Sequence, residues 1–314
     1  MAWTIMKSGI WNLCIMGLSI PFAVAAQTNA KVDAGHTVKG AYQKYVKDFP
    51  GIQVVRAKPR PGVVEKKEVV YTEIGDRKLY MDVFHPNDTT ARPAMVLIHG
   101  GGWISGDKSL MTPLAEHMAS NGYACFALEY RLSGEARYPA SIIDVQNAIK
   151  YIRTNADKFH VDTTKVAILG CSSGGQMAAL IGTTITGSRA GQEAGVQAII
   201  DLDGILAFKH PESEEGNLAA LWLGGTYEEN PENWKQASAL THVDENTPPM
   251  LFVNSGRNRF HAGRDDMIEI LKKNNTYYEV KEFPDSPHTF WLFEPYFTPT
   301  VQCITDFLNK IFLN

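Results

Sequence analysis

The sequence predicts an α/β chain, a mostly parallel, twisted sheet covered by helices on both faces. Three observations predict it. From residue 94 onward, apolar runs of strand length alternate with longer segments of helical period. The run 94–98 ends in His99-Gly100-Gly101-Gly102-Trp103. The run 165–169 ends in Gly170-Cys171-Ser172-Ser173-Gly174 and passes straight into a helical segment. Loops that do chemistry on such sheets gather at the C-terminal ends of the strands, where both of these lie.

Taken in order, the chain opens with Lys7, an apolar core over 10–24 and the small-residue end Ala23-Val24-Ala25-Ala26. This reads as a cleavable signal peptide over 1–26, which implies a secreted or periplasmic protein with no stable membrane insertion after cleavage. A signal anchor is the competing reading, and the run is a little short for one. Residues 27–62 read as a polar leader closed by Pro59-Arg60-Pro61-Gly62, with room for a short helix over 38–48. The main domain is expected over 63–314. Residues 68–72 and 78–84 alternate as a hairpin joined through Gly75-Asp76. Strands follow at 94–98, 123–128, 165–169, 196–202, 250–254 and 277–281, and helices at 110–120, 141–153, 174–185, 264–273 and 301–312. The stretch 205–247 is polar, contains no convincing strand and reads as a lid insertion. Its Trp222, Tyr227 and Trp234 would either stack on sugar rings or pack the lid onto the body.

Composition removes several classes of function. A formal net charge of -4 gives no basic footprint for nucleic acid. The 9 histidines are scattered with no metal-ligand spacing, so neither a metal nor another cofactor is expected. One of the 4 cysteines, Cys14, falls in the signal segment. The odd remainder, Cys125, Cys171 and Cys303, is no disulfide framework, and each reads as a packing residue. Nothing in the sequence fixes an oligomeric state.

The motifs carry the chemistry. A serine in G-x-S-x-G between a strand and a helix sits on a sharp turn that exposes its hydroxyl, which makes Ser172 the expected nucleophile. The glycines after His99 leave backbone N–H groups uncovered, and those of Gly101, Gly102 and Ser173 are the expected oxyanion hole. A phosphate loop is the rival reading of the glycines, but no Lys-Ser/Thr follows and no G-x-G-x-x-G opens a helix. His288, in the loop after the last strand, is the expected general base, last in chain order as such sheets require.

With these residues in place, the chain resembles the α/β-hydrolase fold of the esterase/lipase superfamily. It is most similar to the secreted feruloyl and acetyl-xylan esterase-like (BD-FAE) group, over roughly 68–314. The likeness also includes Glu129-Tyr130-Arg131-Leu132, Tyr138-Pro139-Ala140 and the block 254–266 with the stretch 284–293. Residues 259–266 are similar to hydrolases of plant cell-wall polysaccharides, pectin among them. The resemblance implies a secreted serine esterase acting on acetyl, methyl or feruloyl esters of a carbohydrate.

One member of the expected triad departs from the family pattern. Asn258 stands where a G-x-x-D-like turn would place an aspartate. Three candidates remain for the acid: Asp203 after the preceding strand, Asp285 close to His288, and Asn258 itself. Asp203 is preferred for its place at a strand C-terminus, although alternation puts Asp201 on the same face. Trp103, Arg257 and Arg259 are expected to bind substrate, and the arginines would suit a uronate-containing chain through bidentate contacts. An ion pair with Asp265, Asp266 or Glu269 is the other role open to the arginines. Two rival functions are an amide-cleaving relative, peptidase or arylformamidase-like, and a non-catalytic carbohydrate-binding relative.

Overall fold

The computed structural model describes Met1 and residues 37–184, 195–214 and 216–313. The signal-peptide reading over 1–26 lies outside the described residues apart from Met1. The elements run α1 (Val38–Tyr45), β1 (Gln53–Val54), β2 (Val63–Ile74), β3 (Arg77–Pro86), β4 (Arg92–Ile98), α2 (Thr112–Ser120), β5 (Ala124–Leu128), α3 (Ala140–Thr154) and α4 (Ala156–Phe159). They continue with β6 (Val161–Cys171), α5 (Ser173–Thr184), β7 (Ala198–Leu202), α6 (Gly216–Leu223), α7 (Pro231–Gln236), β8 (Met250–Ser255), α8 (Arg264–Lys273), β9 (Tyr278–Phe283), β10 (Phe293–Glu294) and α9 (Phe297–Phe312).

Among the described residues, eight strands form one sheet in the order β2-β3-β5-β4-β6-β7-β8-β9. The first two pairings are antiparallel, and every pairing from β5 to β9 is parallel. Strand alternation divides the core. Along β4, Val96 and Ile98 face α3, α5 and the 205–247 stretch, whereas Met95 and Leu97 face α1, α2 and α9. With both faces covered, the central strands read as continuous apolar runs; β5, Ala-Cys-Phe-Ala-Leu, is buried throughout.

The structure decides what the sequence left open in two segments. The 27–62 leader is built into the domain from Thr37 onward. The Thr37 hydroxyl accepts from the Gly40 N–H at 3.0 Å and caps α1, which buries Ala41 and Tyr45, while β1 pairs with β10. A short amphipathic helix carries little sequence signal, because most of its stability comes from the tertiary face it buries. The 205–247 stretch holds two helices, and its tryptophans point inward. Trp222 is fully buried, stacks on Trp103 at 4.9 Å and donates to the Ser141 hydroxyl at 3.1 Å. Trp234 is also buried and donates to the Gly225 carbonyl at 3.0 Å, so both indoles pack the insertion onto the body.

Candidate active site

Ser172 sits between β6 and α5 with φ of 55°, a left-handed conformation that a non-glycine residue adopts only when its surroundings force it. The glycines beside it supply the force. A Cβ on Gly170 would meet the Gly174 carbonyl oxygen at 1.9 Å, and one on Gly174 would meet the Ile98 oxygen at 2.3 Å. Backbone can approach backbone this closely only without side chains, so the turn stays tight and Ser172 Oγ stands out of it. That oxygen lies 2.9 Å from His288 Nε2, and His288 Nδ1 lies 2.9 Å from Asp203 Oδ2.

Asp203 is the carboxylate the structure brings to His288. It is fully buried, and its Oδ1 accepts from the Ser255 N–H at 2.7 Å at the end of β8. Alternation does not equate it with Asp201, because Asp203 lies one residue beyond β7 at φ of 54° and has left the pleat. Asp201 stays within the strand and accepts from the Gly204 N–H at 2.8 Å. Burial, then the charge of Asp203, pushes the Asp201 carboxyl well above the usual carboxylate range.

The other two acid candidates are not brought to His288. Asn258 is exposed at the start of a turn of 3-10 helix, Asn258–His261. That turn supplies Phe260 instead, whose ring stacks on His288 at 3.4 Å and 8°. Asp285 is exposed, and its backbone carbonyl accepts from the Tyr296 hydroxyl. Phe260 and Trp291, which meets His288 edge-on at 5.4 Å, were missed by the sequence reading. The only sequence signal for Phe260 is an aromatic inside the turn expected to carry the acid.

Burial lowers the proton affinity of His288 below its ordinary value, and the hydrogen bond and charge of Asp203 oppose this. Burial thus favours the neutral imidazole, the form able to accept a proton. Cys171 is no rival nucleophile: burial, then Asp201 and Asp203, raises its thiol well above the ordinary range.

Gly101, Gly102 and Ser173 border the same cavity, and their N–H groups donate to no group of the described residues. Ser173 opens α5, so its N–H precedes the intrahelical ladder. Gly101 has φ of 138°, and a Cβ there would lie 2.0 Å from the Ser105 carbonyl oxygen. Behind the loop, His99 stacks on Tyr130 at 4.4 Å, and the Tyr130 hydroxyl donates to the His99 carbonyl at 2.9 Å. Burial pushes the His99 pKa down to about 4, so this ring braces the loop as neutral imidazole. In the same motif Arg131 grips the buried Asp144 through Nε and a terminal nitrogen, at 2.9 and 2.7 Å, which fixes α3. The Glu-Tyr-Arg motif thus acts behind the site.

The cavity encloses about 310 Å³. Trp103 forms one wall, but its face is taken by Trp222 and its N–H by Gln176 Oε1 at 3.1 Å, so only part of its ring faces the cavity. Arg259 borders the cavity while donating to the Glu214 carbonyl at 2.7 Å. Arg257 does not border it, a correction to the expected pair: the 3-10 turn begins after Arg257 and carries Arg259 and Phe260 inward. Arg264 is held by Asp265 at 2.9 Å and Glu282 at 2.8 Å. Thr37, Ala41, Lys44 and Tyr45 close another side, a contribution from the supposed leader that the sequence reading missed. Among the described residues no cluster of three His, Cys, Asp or Glu could hold a metal, and no helix is long and apolar enough to cross a membrane.

The comparisons with known proteins follow the same lines. Esterase LipC of Mycobacterium tuberculosis is 28% identical over 273 residues, covering 79% of this chain and 66% of LipC. The probable carboxylic ester hydrolase LipM of the same organism is 28% identical over 243 residues, covering 71% of this chain and 56% of LipM. The chain thus spans between 56% and 66% of the length of these relatives. Among solved structures, a truncated carbohydrate esterase from gut microbiota superposes with a TM-score of 0.65 at 22% identity, covering 80% of this chain and 99% of that one. Thermogutta terrifontis esterase 2 phosphonylated by sarin gives 0.68 at 23% identity, with 82% and 98% covered. These likenesses show the α/β-hydrolase fold. Residues 81–270 match the BD-FAE family, which includes the elbow, the glycine loop and Asp203, and the chain belongs to that family.

Proposed function

We propose that the chain is a secreted serine esterase that hydrolyses acetyl, methyl or feruloyl esters on plant cell-wall polysaccharides or their oligosaccharides, uronate-bearing chains such as pectin included. One observation carries this reading: the unbroken line of 2.9 Å contacts from Asp203 through His288 to Ser172, beside uncommitted N–H donors.

In this reading Ser172 Oγ attacks the ester carbonyl while His288 Nε2 takes its proton. The buried charge of Asp203 stabilises the imidazolium and holds the ring in place. The oxyanion forms against the Gly101, Gly102 and Ser173 N–H groups, each such donor worth about 3–4 kcal/mol in the transition state. His288 returns the proton to the departing alcohol, and water, activated by the same imidazole, releases the acyl group from Ser172. The esterase names of the relatives and the carbohydrate esterase among the structural neighbours support the reaction class. The cationic side chains on the cavity wall, Lys44 and Arg259, support an acidic sugar chain, and the apolar segment 10–24 supports export. The contact of Asp203 with His288 speaks against the non-catalytic alternative, which drew on a missing acid.

The test is release of acetate, methanol and ferulate from a panel of pectins and xylans, followed by NMR or mass spectrometry, for the wild type and Ser172→Ala. The expected result is release by the wild type and none by the variant. Release by Ser172→Ala at the wild-type rate removes the mechanism, and cleavage of peptides or formamides in preference to every ester moves the chain to the amide-cleaving alternative.

A further inference from the structure

The charges around the cavity do not balance, and the imbalance lies on α1. Arg259 is matched: its guanidinium lies 3.5 Å from the Glu214 carboxylate, and Glu214 borders the same cavity. Lys44 also borders it, with its ammonium 5.3 Å from the centre of the Tyr45 ring, itself a cavity wall. No carboxylate of the described residues pairs with Lys44. The helix that carries it is anchored by the Thr37 cap and by buried Ala41 and Tyr45, so the charge stands on a fixed element. The fields of Lys44 and Arg259 both reach His288, where each opposes protonation.

We infer that Lys44 is a specificity-determining residue that favours esters bearing a free carboxylate, such as an acylated uronate, over neutral esters at Ser172. A carboxylate only accepts hydrogen bonds and gains from an unmatched cation, whereas a neutral hydroxymethyl group gains little. The chain as a whole, at a formal net charge of -4, repels an anionic polysaccharide, so attraction must be local. Lys44 lies outside the family-matched region 81–270. The inference rests on the esterase reading, and its test separates the two.

Two O-acetylated methyl glycosides are compared, a galacturonide and the matching galactoside, which differ only in carboxylate against hydroxymethyl. The readout is the ratio of their kcat/KM values. Lys44→Gln is expected to lower the ratio about three- to fivefold at low salt, the size of an exposed ion pair, and Lys44→Arg to keep it. The effect should shrink as added salt screens the charge. A structural role for Lys44 would slow both substrates alike and leave the ratio unmoved, and that result overturns the inference. Titration calorimetry of the same two esters with Ser172→Ala, with and without Lys44→Gln, reads the ratio without turnover. Preferential binding through Lys44 without wild-type turnover sinks the esterase reading and keeps this one; turnover whose ratio ignores Lys44 does the reverse.

Discussion

The floor of the cavity is backbone packed against backbone, whereas its rim is largely side chains held out toward solvent. On the floor, Gly100 lies where a Cβ would meet the Cys171 carbonyl at 2.7 Å, and Asp203 has no exposed surface. On the rim, Lys44, Glu214 and Arg259 are exposed; Lys44 lies over the Tyr45 ring, and Arg259 pairs with Glu214. The difference teaches where each property of the site can change. Substitution on the floor moves main chain and so alters the chemistry for every substrate. Substitution on the rim alters a screened charge and so shifts preference among substrates.

The sharpest way to break this division is at Asp203. Asp203→Asn is expected to lower kcat on p-nitrophenyl acetate by up to about 10⁴, because the imidazolium loses its buried counter-charge. Asp285→Asn and Asn258→Ala, both exposed, should stay within about twofold, the range of ordinary surface changes. The pH profile gives a second readout. His288 acts as base only when neutral, and burial holds its pKa below the ordinary histidine value, so the acid limb of kcat/KM lies on the acid side of that of an ordinary histidine. Asp203 opposes this lowering, so Asp203→Asn moves the limb further toward acid; a limb that moves toward neutral pH would contradict the assignment.

Next in size is the glycine loop. Gly101→Ala places a Cβ against the Ser105 oxygen at a φ of 138°, so the loop must shift and displace its N–H donors. A loss of roughly 10²- to 10³-fold in kcat is expected, the cost of one oxyanion donor. A melting curve recorded alongside separates this from unfolding. The smallest effect belongs to the rim. Arg259→Gln should lower kcat/KM on acidic oligosaccharides by about two- to fivefold and Arg257→Gln hardly at all, since only the former borders the cavity. Equal losses from the two would blur the boundary drawn here between wall and surface.

The same division explains what could be read from the sequence. Ser172, the three-glycine loop and the parallel strands are legible because the local geometry demands particular residue types, glycines above all. Asp203 was open among three candidates, since its role depends on β7 ending at Leu202 and on the β8 terminus closing around it. Neither fact is local in sequence. The rim was least legible. Lys44 lies far from Ser172 in the chain, on a helix of 8 residues whose reason to form is the face it buries. Trp222 was ambiguous because an aromatic in a polar stretch carries no mark of which way it points.

The central claim is that Ser172 is the activated nucleophile of this cavity. Treatment with a fluorophosphonate, followed by intact-mass measurement and peptide mapping, tests it most directly, because only a serine activated by its base reacts readily. The account predicts one adduct per chain, on Ser172, absent in Ser172→Ala and slowed strongly in Asp203→Asn. An unlabelled Ser172, or an adduct on another residue with ester turnover intact, would contradict it.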